Sequence, residues 1–356
     1  MNLSELTIRN FRNLASLDAA LPSDGVVILG DNGQGKTNLL EAVYYLVLFR
    51  SLRGAKDREL VRFGQEGFFV AGTGGRRVTA GYQVAGRRKK VTVDGAEAKK
   101  LSEAVGVVAA VAFAPADRDI VAGGPARRRR YLDVLLSLGE AGYLNELTAM
   151  RNALRQRNAA LRRGRAEEAV PFDSPFARAA AAVAETRRRW VWERRDRYVE
   201  LCRALGETGN ADIGYHERHR EEGVDAFHLE RALGATLDRD LRRGMTTVGP
   251  HRDDLTLTLN ERDLRTYGSG GQQRTAATAL RLLEGETLRE TTGSAPIALY
   301  DDVFAELDAV RQARLLDLIR ETLAGQAIIA APRESEVPPE LLDRPRWRME
   351  RGRLER

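Results

Sequence analysis

A chain of 356 residues, 43% of them hydrophobic and 30% charged, has the apolar material for a substantial core and the length for two domains. Its single cysteine, Cys202, excludes an internal disulfide framework, and a net charge of +6 favours an anionic partner. The opening residues lack the apolar core of a signal peptide and no apolar run is long enough to cross a bilayer, so a cytoplasmic protein without membrane contact is expected.

Residues 3–15 open as a strand with Leu6 and Ile8 as its alternating apolar anchors, and Pro22 to Gly25 turns into a second strand, Val26-Val27-Ile28-Leu29. Next come Gly30-Asp31-Asn32-Gly33-Gln34-Gly35-Lys36-Thr37 and an apolar run from Leu39 to Phe49 whose only charge is Glu41. Strand, glycine-rich turn and helix are the context of a P-loop. Glycines let successive N–H groups converge on a phosphate, and the helix N-terminus adds partial positive charge. Lys36 would reach the β- and γ-phosphates, and the Thr37 hydroxyl would ligate Mg²⁺. The cations Arg50, Arg53, Lys56 and Arg58 follow, and their pattern alone leaves nucleotide, DNA and a solvated loop open.

Residues 68–93 read as an antiparallel meander, with turns at Gly74-Gly75 and Asp94-Gly95. The continuous apolar run Gly106 to Phe113 predicts a fully buried strand. A P-loop unit mixed with an antiparallel sheet is unlike a small-molecule kinase, in which strands and helices alternate strictly. From Ala126 to about Gly244 the chain reads as helical and arginine-rich. One helical stretch from Tyr131 to Leu154 is broken near Gly139 and Gly142, a second runs from Phe176 to Leu205, and a third carries Leu229, Leu233, Leu237 and Leu241 at i, i+4. Such short, broken helices predict a compact arm rather than a long coiled coil. The run Arg127-Arg128-Arg129-Arg130 opens a helix, where cations oppose the macrodipole; an anionic ligand or acidic neighbours would explain the placement, and a solvated face stays open as the third reading. Trp190 and Trp192 are candidates for base stacking or for the core, and His216 with His219 lacks the companions of a zinc site.

Residues 255–259 alternate as a half-exposed strand, and Asn260 to Asp263 turns toward Ser269-Gly270-Gly271-Gln272-Gln273 and a helical run, Thr275 to Glu290. Ser269, Gly271 and Gln272 at that helix start make a second candidate anion site, which on spacing alone could equally be an ordinary capped helix. The strand Pro296 to Tyr300 ends in Asp301-Asp302, the shape of a Walker B segment. Asp301 would enter the Mg²⁺ shell and Asp302 would orient or deprotonate the attacking water. On this reading Lys36, Ser269 and Asp302 are the catalytic candidates.

In order, the P-loop, the Ser269 signature, Asp301-Asp302 and Glu306-Leu307-Asp308 (a D-loop) resemble the ABC-type ATPase heads of the SMC class. Within that class Asn10-Phe11-Arg12-Asn13, Phe113 to Asp133, Gly249-Pro250-His251-Arg252-Asp253-Asp254 and Asp301 to Asp308 resemble the RecF family. The resemblance spans essentially the whole chain. It implies an α/β ABC-type P-loop ATPase head, a mixed sheet plus antiparallel meander, with an inserted helical arm. The expected divisions are 1–115 for the first part of the head, 116–245 for the arm and 246–356 for the rest of the head. By the same resemblance ATP lies on Gly30 to Thr37 with Mg²⁺ at Thr37 and Asp301. Ser269 reads the γ-phosphate held by a second copy, giving an ATP-dependent homodimer that clamps DNA near single-strand gaps. RecR and RecO are the implied partners, helping to place RecA. Two departures stand out: no switch glutamine is evident near Ala114 to Asp117, and no histidine or threonine near Ala330-Ala331. Asp302 stands where many such heads carry glutamate, one methylene longer, so slow, DNA-dependent hydrolysis is expected. The alternative reading is an ATPase subunit of a membrane transporter.

Overall fold

The computed structural model describes residues 2–218, 225–304 and 309–355; His219 and the Glu306-Leu307-Asp308 stretch lie outside them. The chain divides into two compact units, Met1–Asp117 with Ala204–Gly206 and Thr278–Arg356, and Arg118–Arg203 with Glu207–Ala277.

The first unit begins with a hairpin of β1 (Glu5–Phe11) and β2 (Leu14–Ala20), whose alternation buries Leu6, Ile8 and Leu17 on one face. Strand β3 (Gly25–Leu29) leads to helix α1 (Lys36–Leu48), and the short α2 (Asp57–Leu60) precedes β4 (Gly67–Gly74), β5 (Arg76–Gln83), β6 (Arg88–Val93) and β7 (Ala96–Glu97). Strands β4, β5 and β6 form the predicted meander, and the sheet extends beyond it to β1, β2 and β7, in the order β2-β1-β4-β5-β6-β7. Helix α1 packs on it through Tyr45, whose ring meets Phe68 at 5.2 Å and Phe11 at 6.0 Å. Strand β8 (Ala110–Phe113) is shorter than the apolar run that predicted it, because Gly106 at φ +85° turns the chain and only the last four residues pair.

The second unit holds α3 (Arg118–Ala122), α4 (Pro125–Gly139), α5 (Tyr143–Arg162), α6 (Ala166–Ala169) and the 32-residue α7 (Asp173–Ala204). The expected break falls between α4 and α5, where Gly142 is left-handed at φ +84°. Two expectations fail after α7. The segment taken as helix throughout contains a strand, β9 (Ala211–His216), and the leucine ladder from 229 to 241 is two helices, α8 (Ala226–Ala235) and α9 (Leu237–Arg243), separated at Thr236. Strand β10 (Asp254–Leu259) then pairs antiparallel with β9 along its whole length, and β11 (Arg262–Asp263) completes a three-stranded sheet. That pairing draws residues 246–277 into the same unit as the helical arm rather than into the head where the sequence boundary at 245 put them. Helix α10 (Leu264–Tyr267) precedes α11 (Gly270–Thr292), which starts five residues earlier than the helical pattern at Thr275 indicated.

The chain re-enters the first unit at Thr278, within α11, and continues there through β12 (Ile297–Asp301), α12 (Ala309–Thr322), β13 (Ala327–Ala331), β14 (Arg346–Glu350) and β15 (Arg353–Glu355). The resulting sheet has the order β15-β14-β3-β13-β12-β8, with β14, β3, β13, β12 and β8 parallel, and β15 antiparallel at the edge. Its central strands are continuous apolar runs, as a parallel sheet covered on both faces requires. Buried Gln326 spends its amide on Leu3 and Pro22: Oε1 accepts from the Leu3 N–H at 2.8 Å, and Nε2 donates to both carbonyls at 2.8 Å. Among the described residues no helix is long and apolar enough to cross a membrane.

Candidate nucleotide-binding site

In the first unit β3 delivers the P-loop at the carboxyl end of a parallel strand, where open α/β sheets place their ligands. Two of the loop's glycines, Gly30 and Gly35, are needed for space. A Cβ on Gly30 would stand 2.3 Å from the Met349 carbonyl oxygen, and one on Gly35, at φ +120°, would stand 2.9 Å from the Asn13 side chain. Lys36 is 4% exposed, and its Nζ donates to the Gly30 and Asp31 carbonyls at 2.6 and 3.2 Å. It makes no salt bridge among the described residues; its hydrogen bonds go to backbone carbonyls, which an arriving anion would replace.

Parallel pairing of β12 with β13, and of β13 with β3, carries the paired carboxylates to the same edge. Thr37 Oγ1 donates to Asp301 Oδ1 at 2.8 Å, joining the two motifs across 264 residues of sequence. Burial raises the proton affinity of Asp301 and the neighbouring Asp302 charge adds to it, while the Thr37 hydroxyl opposes both. Asp302 sits at φ +52°, its N–H donating to the Ala330 carbonyl at 3.1 Å, and its buried Oδ1 has no hydrogen-bond partner among the described residues. Its proton affinity is raised chiefly by burial, with Lys36 opposing and Glu336 reinforcing. Two desolvated carboxylates, one with an orphaned oxygen, beside a threonine hydroxyl fit a hard cation such as Mg²⁺, which takes only one or two protein ligands beside phosphate oxygens.

The cations after α1 divide. Arg53 NH2 donates to Asn38 Oδ1 at 2.6 Å and to Glu41 Oε2 at 2.5 Å, and Arg12 and Ser51 complete the ring around that carboxylate. Glu41 is fully buried; burial pushes its pKa up, but Arg53, Arg12 and Ser51 outweigh it and hold the group below its usual range. Asn13 connects this network to the loop, accepting from Asn38 Nδ2 at 2.8 Å and donating to the Gln34 carbonyl at 3.1 Å. Periodicity carried no sign of this role for the Asn10 to Asn13 stretch. The loop near Ala114 has no glutamine. Asp117 accepts there from the Ala114 N–H at 2.8 Å and from Arg281 NH2 at 2.6 Å.

Ser269, Gly271 and Gln272 lie in the second unit. Gln272 N–H donates to Ser269 Oγ at 3.3 Å and Ser269 N–H to Gln272 Oε1 at 2.9 Å, a reciprocal cap that leaves Ser269 exposed. Gln273 is occupied elsewhere: it is buried, accepts from Arg118 Nε at 2.9 Å and donates to the Leu264 carbonyl at 3.0 Å. The arginine run opening α4 is settled in part. Arg128 makes a bidentate pair with Asp254 at 2.8 and 2.7 Å, and Arg129 donates to the Asp253 carbonyl at 2.7 Å. The Gly249 to Asp254 stretch therefore supplies acceptors to the arm. Trp190 is core at 2% exposure, and Trp192 is exposed.

A parallel sheet with a P-loop, a carboxylate pair and a capped signature helix defines an ABC-type ATPase head. Residues 2–338 match the RecF/RecN/SMC N-terminal domain family, and the fold is shared with an SMC head bound to a ScpA domain at TM-score 0.57 and 15% identity, covering 100% of this chain and 96% of that one. Within that class the chain belongs to the RecF family of DNA replication and repair proteins. It is 40% identical to RecF of Anaeromyxobacter dehalogenans over 95% of this chain and 94% of the relative, and 36% identical to RecF of Halalkalibacterium halodurans over 90% of each. A solved structure of RecF with ATP superposes at TM-score 0.89 with 32% identity, covering 99% of this chain and 96% of that one. These relatives do not favour the transporter reading.

Proposed function

We propose that this chain is an ATP-dependent DNA-binding protein of recombinational repair and replication-fork recovery, in which ATP joins two copies head to tail around DNA near single-strand gaps. The reading is carried by the Thr37–Asp301 hydrogen bond beside buried Lys36, which brings both halves of a triphosphate site together from distant sequence. The RecF structure with ATP supports ATP as the ligand of Gly30 to Thr37. Thr37 and Asp301 would hold Mg²⁺, which when bound neutralises phosphate charge. Lys36 exchanges the Gly30 and Asp31 carbonyls for phosphate oxygens. Asp302, whose burial raises its proton affinity, orients the attacking water and accepts its proton. Its short side chain and the absence of a switch glutamine favour slow, DNA-stimulated hydrolysis that resets the dimer. Ser269, Gly271 and Gln272 of one copy face the γ-phosphate held by the other; the open, capped end of α11 supports this role. RecR and RecO are the proposed partners, with RecA placed indirectly, in keeping with a relative described within a RecFOR pathway.

The test is sedimentation with ATP, magnesium and gapped DNA. Wild type dimerises, Lys36→Ala binds no ATP, and Ser269→Ala binds ATP but stays monomeric. Dimerisation of Ser269→Ala on ATP would remove the trans role of the signature.

A further inference from the structure

The P-loop is gripped from outside by the end of the chain. Strand β14 pairs with β3, Trp347 opposite Ile28, and buried Trp347 and Met349 anchor it. Its two-residue connection to β15 is Arg351-Gly352, at φ +46° and +77°, the pattern of a type I′ hairpin turn. Both N–H groups of that turn reach one residue of the P-loop. Arg351 N–H donates to Gln34 Oε1 at 2.7 Å and Gly352 N–H to the Gln34 carbonyl at 2.8 Å, where Asn13 Nδ2 also donates at 3.1 Å. The turn fits only because position 352 is glycine: a Cβ there would lie 2.4 Å from the Asn13 carbonyl oxygen.

In a planar trans peptide the carbonyl and the following N–H point in opposite directions. With the Gln34 carbonyl drawn outward to two donors, the Gly35 N–H is turned to the inner side of the loop, and it has no partner among the described residues. We propose that the β14–β15 turn is a positioning element of the nucleotide site, latching the Gln34–Gly35 peptide so that the Gly35 N–H faces bound phosphate. A loop rich in glycine can flip such a peptide at little steric cost, which would present a carbonyl oxygen to the phosphate instead. The latch rests on the nucleotide reading above and adds to it a residue pair, Arg351 and Gly352, that touches no ligand.

The experiment compares Gly352→Ala with Gly95→Ala. Gly95 occupies an equivalent positive-φ turn between β6 and β7 at +84°, but a Cβ there meets nothing within 4 Å, so it reproduces the backbone strain without the latch. Loss of one hydrogen bond to a charged ligand predicts about a tenfold weaker ATP affinity for Gly352→Ala. Amide exchange across Gly33 to Lys36 in nucleotide-free protein should also be faster, by more than in Gly95→Ala. If Gly352→Ala does not fold, Gln34→Leu removes the Oε1 acceptor of the Arg351 N–H while leaving the hairpin sequence intact, and the same two changes are expected at smaller size, because the Gly352 and Asn13 donors to the Gln34 carbonyl remain. Affinity and exchange equal to those of Gly95→Ala would overturn the latch. Wild type that binds no ATP would instead overturn the nucleotide reading, while the exchange comparison would still report on the turn.

Discussion

Arg128→Ala separates the two accounts of the arginine run at the start of α4. In the structure Arg128 is 5% exposed at its side chain and Asp254 21%, and the guanidinium also donates to the Val121 and Gly123 carbonyls at 3.1 and 2.9 Å. Truncating it leaves a mostly buried carboxylate and two carbonyls without their donor, a loss of about 3–5 kcal/mol. At about 2–4 °C per kcal/mol for a unit of this size, the transition containing α4 should fall by roughly 6–20 °C in calorimetry. Asp254→Ala should fall by a comparable amount, whereas the double change Arg128→Met with Asp254→Leu should recover most of it, because a well-packed apolar pair replaces a buried ion pair at little cost. DNA affinity measured against salt supplies the opposing test. A phosphate-binding arginine contributes about 0.9 to the slope of log affinity against log salt, and the ion-pair account predicts no such change. Wild-type melting together with a slope shallower by that amount would refute the structural role.

Asp302→Asn should leave ATP binding intact while slowing hydrolysis by about 10²–10⁴-fold. His251 supplies a pH test of stability. Burial pushes its pKa down to about 4, with Arg252 and Arg129 adding to the shift and the Thr246 carbonyl opposing it. Protons then bind the unfolded chain first as pH falls below about 6.5, so stability should drop by about 3 kcal/mol between pH 6.5 and 4, and His251→Gln should flatten that fall. An unchanged pH profile in His251→Gln would assign the acid sensitivity elsewhere.

What could be read in advance was what is written locally. The strand, loop and helix around Lys36 are contiguous, so residue order alone displays them, and the alternation of Leu6 and Ile8 exposes the first hairpin in the same way. Strand β9 was hidden because Ala211 to His216 is a short, mixed stretch inside a long arginine-rich region whose average character is helical. The leucines from 229 to 241 keep one spacing across two helices, and spacing is blind to the chain break at Thr236. Nor could any local pattern show that Arg128 meets Asp254, or that Glu41, the lone charge in the apolar run from Leu39 to Phe49, is ringed by Arg12, Ser51 and Arg53. Those partners are chosen by the tertiary fold. The strand ending at Asp301 was legible because it is a contiguous apolar run closed by two acids; the contacts of the Arg351-Gly352 hairpin with Gln34 were not, because they are made by backbone N–H groups that no side chain announces.

The placement of β3 between β13 and β14 also bears on how the protein is made. The strand that presents the phosphate loop is synthesised before both of its sheet neighbours, which come from residues 327–350. Until they arrive, Val26 to Leu29 is an apolar segment with two unpaired edges, open to mispairing. Contacts this distant in sequence also slow folding after release. Nucleotide affinity should therefore appear late and all at once, and the nascent chain is a natural client for a chaperone that covers the P-loop strand.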